Sequence, residues 1–107
     1  MIEATILRDE GKIFGFRIRG HADSAPGGEY DLVCCAVSVL TENTVNSIEA
    51  LTADQPVRLE VREGFLSFEL PKDSSEESRL LLDSMLLGLQ NIEEQYGKHL
   101  TIRFEEE

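Results

Sequence analysis

His21 and Cys34 are the side chains of this 107-residue chain best suited to nucleophilic chemistry, and a short loop separates them. Residues 20 to 38 read GHADSAPGGEYDLVCCAVS. An imidazole that approaches a thiol can take its proton and later return one to a leaving amine. Asp31, just before an apolar-periodic stretch, reads as a helix N-cap. That would place Cys34 in the first turn, where unpaired backbone N–H groups and the helix dipole favour a thiolate. The same N–H groups could receive the oxyanion of a tetrahedral intermediate. Asp23 and Asp31 are the nearby carboxylates able to orient His21. Gly27 and Gly28 suit a loop that orders when substrate binds, or simply a tight turn.

At about 100° per residue the helix separates the two thiols. Cys34 lies on the flank of the apolar stripe, whereas Cys35 falls among Glu42, Asn46 and Glu49 on another side. A packed small hydrophobe is the competing reading of Cys34, and it is the preferred one for Cys35. Taken alone, His21 reads as an ordinary surface or turn residue at a strand end, and His99 as a residue beside a helix C-terminus. Adjacent helical cysteines point apart and do not make the usual tetrahedral pair, so His21, Cys34, Cys35 and Asp23 suggest no metal site and no cofactor. The loop lacks the glycine spacing and the lysine of a phosphate-binding motif.

The elements that must position these groups follow from periodicity. Residues 2 to 8 and 13 to 19 alternate with period two about the polar Asp9-Glu10-Gly11, which predicts a hairpin. Phe14, Phe16 and Ile18 share one face of its second strand, and Arg17 and Arg19 the other. A helix is expected from about Leu32 to Leu51, with Val33, Val37, Leu40, Thr44, Ile48 and Leu51 as its buried stripe. Val57, Leu59 and Val61 alternate with charged residues, and Glu63-Gly64 turns the chain into a second hairpin partner, residues 65 to 70. Ser74 with Glu77 makes a capping box for a second helix, with Leu82, Met85, Leu89, Ile92 and Tyr96 on one face and Gly97 at its end. Leu100, Ile102 and Phe104 form a last strand, and Glu105 to Glu107 read as a solvated end. The order β-β-α-β-β-α-β predicts a single α+β domain over 1–107, a five-stranded mainly antiparallel sheet with two helices packed on one face.

Composition narrows the partners. With 21 acidic and 10 basic residues the net charge is −11, so a surface that grips nucleic acid or anionic lipid is excluded. The residues open without a basic, apolar secretory leader, and no apolar run is long enough to span a bilayer, which leads us to expect a cytoplasmic protein without membrane contact. Two adjacent cysteines exclude a disulfide scaffold and suit a reducing compartment.

Gly20-His21-Ala22, the glycine-containing loop, and Asp31-Leu32-Val33-Cys34 followed by Ser38 resemble the signature of the ribosomal-processing cysteine protease family Prp. Length, element order and the helix ending in LQNIEEQY are also similar, so the resemblance spans the chain. It implies that His21 and Cys34 form a catalytic dyad, with Ser38 in support. It also implies a homodimer whose substrate is the precursor of the large-subunit ribosomal protein numbered twenty-seven, trimmed of its N-terminal extension. Cys35 stands where the family usually has a small residue such as alanine, and the loop after His21 is about one residue longer. The expected activity is that of a thiol endopeptidase. Two rivals are a non-catalytic acidic module that holds a basic ribosomal protein and a redox sensor using Cys34.

Overall fold

The computed structural model describes residues 1–20 and 28–107. Its elements follow the expected order: β1 (Ile2–Asp9), β2 (Lys12–Gly20), α1 (Glu29–Leu51), β3 (Arg58–Arg62), β4 (Phe65–Glu69), α2 (Glu76–Tyr96) and β5 (Leu100–Glu106). The strands make one sheet in the order β3-β4-β2-β1-β5. Its pairings are antiparallel except β1 with β5, which run parallel from Ile2 opposite Leu100 to Arg8 opposite Glu106. The parallel pair is possible because α2 carries the chain back across the sheet before β5 begins.

Strand alternation sends Ile2, Ala4 and Ile6, with Phe16, Phe68 and Leu100, to one face. There they meet Val33, Val37, Val45 and Ile48 of α1 and Leu82, Met85 and Leu89 of α2 in one apolar core. Both helices therefore cover the same face. Burying each of these side chains other than Ala4 contributes about 1.5–3 kcal/mol relative to leaving it in water. Gly88 permits close approach of the helices, since a Cβ there would stand 2.6 Å from Leu40 Cδ2.

Four local expectations are corrected. Helix α1 starts at Glu29, with Gly28 as N-cap and no capping side chain, so Asp31 is the third helical residue and not the cap. Gly28 takes φ 92°, which its lack of a Cβ allows. The buried stripe of α1 keeps Val33, Val37, Thr44 and Ile48 but is rotated toward Cys34: Thr41 and Val45 join it, while Leu51 is 73% exposed at the helix end. Buried threonines are tolerated because the Thr41 and Thr44 hydroxyls donate to the carbonyls of Val37 and Leu40, both at 2.8 Å. Ser75, not Ser74, caps α2, and its hydroxyl accepts from the Ser78 N–H. The acidic tail is not simply solvated, because Glu105 pairs with Arg17 at 2.9 Å, Glu106 with Arg8 at 2.7 Å and Glu107 with Lys72 at 2.8 Å. The β1–β2 hairpin also carries an irregularity at Leu7/Arg8, which leaves Phe14 as an extra residue and lets both Ile13 and Phe14 be buried.

Candidate active site

Cys34 lies in the second turn of α1, half-buried against the core, and lines a groove of about 330 Å³ between α1 and the β3–β4 hairpin. Val37, Ser38, Thr41 and Glu42 continue the α1 wall. Ile18 and Leu66 floor the groove, and Gly20 closes one side. On the far side lies β3, an edge strand whose groove-lining Val61 is left 70% exposed. Cys35, one residue on, is exposed.

Strand β2 ends at Gly20, so the peptide bond into His21 leaves the described fold at a residue that shares the groove with Cys34. Several elements fix that point. The Gly20 N–H donates to the Gly64 carbonyl at 3.0 Å. A Cβ on Gly20 would come within 3.3 Å of Ile2 Cγ1 and 3.8 Å of the Tyr30 hydroxyl, so the starts of β1 and α1 pack against it. The first turn of α1 is held in turn by Glu29, whose carboxylate lies 2.9 Å from His99 Nε2, and by Tyr30, edge-on to the His99 ring. His99 thus tethers the helix start as well as following α2.

Of the sequence candidates, Cys34 and Ser38 line the groove, Asp31 lies one turn before Cys34, and Gly28 caps the helix. His21, Asp23 and Gly27 lie outside the described residues. The donors expected around Cys34 are displaced. Leu32 N–H already bonds the Gly28 carbonyl at 3.3 Å, so the helical ladder begins at Leu32 and Cys34 itself sits within it. Helical side chains lean toward the N-terminus, so the Cys34 thiol still inclines toward that turn. Sequence reading missed the β3–β4 contribution, namely Val61, Arg62, Gly64, Phe65 and Leu66. The Glu63-Gly64 turn signalled the hairpin, but no local pattern signals where its tip docks. Among the described residues no group of three or more histidine, cysteine or acidic side chains is arranged to hold a metal ion.

An α+β domain that presents a half-buried thiol in an open, largely apolar groove suits a peptidase of the cysteine class. Residues 1–101 match the family described as cysteine protease Prp, and the chain belongs to that family. It is 36% identical over 109 aligned positions to the ribosomal processing cysteine protease Prp of Bacillus subtilis, covering 95% of this chain and 96% of that protein. The protein of the same name from Staphylococcus aureus is 31% identical over 99 residues, covering 92% of each. A crystal structure of the S. aureus protease with a covalently linked product peptide superposes with a TM-score of 0.86 at 31% identity, covering 98% of this chain and all of that one. The chain is a cysteine protease with the predicted α+β fold.

Proposed function

We propose that this protease removes the N-terminal extension of a ribosomal protein precursor, that of the large-subunit protein numbered twenty-seven, using Cys34 as nucleophile and His21 as its base. The observation that carries the reading is the shared groove: it contains Cys34 and also Gly20, the residue to which His21 is joined. His21 takes the Cys34 proton, the thiolate adds to the carbonyl of the scissile bond, and the resulting oxyanion accepts hydrogen bonds from N–H groups at the start of α1. Collapse breaks the C–N bond as the imidazolium protonates the leaving amine. Water, deprotonated by His21, then releases the acyl group and regenerates the thiol.

The field of a helix start falls off within its first turn, so a cysteine in the second turn leans more on the histidine for activation. A carboxylate from Asp23 or Asp31 would orient that histidine, Ser38 lies one turn beyond the nucleophile, and Gly27 with Gly28 would let the intervening loop close over the peptide. The working form is a homodimer in the cytoplasm, where thiols stay reduced.

Mass spectrometry of a precursor peptide incubated with the protein tests this. One new cut is expected with the parent and with Cys35→Ala, no product with Cys34→Ala, and a loss of about 10²- to 10⁴-fold with His21→Ala. Cleavage by Cys34→Ala alongside a dead Cys35→Ala would reverse the assignment. Binding of the precursor without any product would instead favour the acidic binding module. Light scattering on the purified protein should return twice the 12.0 kDa chain mass.

A further inference from the structure

The groove does not stop at Cys34. It runs along α1 past Ser38 to Glu42, and these residues recur every four positions, so they stand on successive turns of one side of the helix. The helical rise separates Cys34 from Glu42 by about 12 Å. Among the described residues two charged side chains line this groove, and they differ in what already satisfies them. The Arg62 guanidinium lies over the Phe65 ring at 4.3 Å and pairs with Glu60 at 3.6 Å. The Glu42 carboxylate has no ion pair or hydrogen bond with any other described residue. It is exposed at the groove wall, beside the apolar floor of Ile18 and Leu66.

A peptide lying extended in the groove advances about 3.3 Å per residue, so the span from Cys34 to Glu42 corresponds to three or four residues. We propose that Glu42 is a specificity-determining residue that selects a lysine or arginine side chain of the substrate, three or four residues from the bond cut at Cys34. A cation arriving there meets a carboxylate with no competing partner among the described residues, and its methylene stem lies along apolar groove wall. This rests on the peptidase reading above. It adds a requirement on the substrate that the thiol and its base cannot impose, because they act only at the scissile bond.

The test scans precursor-like peptides in which lysine, its uncharged isostere norleucine, or glutamate is placed at each position two to five residues on either side of the cut. Cleavage is read as the ratio of kcat/KM for lysine over norleucine. The same ratio of affinities is read by fluorescence anisotropy in the Cys34→Ala background, where no turnover is needed. At one position three or four residues from the bond, both ratios should favour lysine by about two- to fivefold, as for other exposed ion pairs. They should approach one in Glu42→Gln, and Glu42→Lys should prefer glutamate. Circular dichroism should be unaltered, since glutamate, glutamine and lysine are all good helix formers. Equal lysine preference with and without the Glu42 carboxylate, or no preference at any position, overturns the assignment. Absence of cleavage by the parent overturns the peptidase reading instead, while the binding ratio still decides the role of Glu42.

Discussion

Gly64 holds φ at +72°, and a Cβ on it would stand 2.5 Å from the carbonyl oxygen of Gly20. Alanine at this position is therefore opposed twice, by the left-handed backbone and by a backbone atom that cannot swing aside. Gly64→Ala should cost about 1–3 kcal/mol, measured by urea unfolding. It should also lower kcat under conditions where the variant stays folded, because the displaced atom belongs to the residue joined to His21. An unchanged kcat would mean that the hairpin tip supports the fold alone. The different surroundings of Cys34 and Cys35 were legible from helical spacing, since a 100° step carries the second thiol away from the core. Gly64 was legible only as a turn residue, because its partner Gly20 is remote in sequence and a backbone contact leaves no side-chain pattern.

The start of α2 is held by a carboxylate from another element. Asp54, in the connection after α1, accepts from the Ser75 N–H at 3.1 Å and from the hydroxyls of Ser75 and Ser78. These hydrogen bonds, the Ser75 hydroxyl foremost, hold the Asp54 carboxyl below its ordinary value of 3.8. A depressed carboxylate contributes stability that is fully present above its unfolded-state value and is lost as the pH falls through the folded one. The difference in unfolding free energy between the parent and Asp54→Ala should thus be constant near neutrality and shrink below about pH 4. Removing the cap itself, Ser75→Ala, should cost about 1 kcal/mol. A pH-independent difference down to pH 2 would show that Asp54 acts through shape, not charge. Adjacent serines explain why the sequence pointed to Ser74: it alone has a glutamate three residues on, whereas Ser75 is followed there by Ser78, and the deciding partner comes from the distant Asp54. For α1 the helix start is blurred for a related reason, since Gly28, Glu29, Tyr30 and Asp31 contain two acids suited to a first turn and no unambiguous cap.

Across the whole molecule, the net charge of −11 sets a long-range field that draws a basic partner before any contact forms. Raising the salt from about 0.05 to 0.5 M shortens the screening length severalfold, so kcat/KM for a basic precursor should fall while kcat holds. Salt-independent kcat/KM would remove the field from the account of recognition. Element order and the helix-covered face followed from periodicity because each strand carries its own alternation. The position of β5 did not, because a short strand such as Leu100–Phe104 carries no mark of which neighbour it joins, nor that the glutamates after it would pair with Arg8, Arg17 and Lys72. Its parallel pairing with β1 joins segments 98 residues apart, as in the bond between Arg8 and Glu106. Contacts of such separation form late, since nearly the whole chain must be ordered before they are rewarded. Ile2, which lines the groove, has its N–H bonded to the carbonyl of His99, just ahead of β5. Arrival of the final strand therefore completes the backbone bonding of a residue that lines the cleft, so the last contacts of the fold and the edge of the site close together.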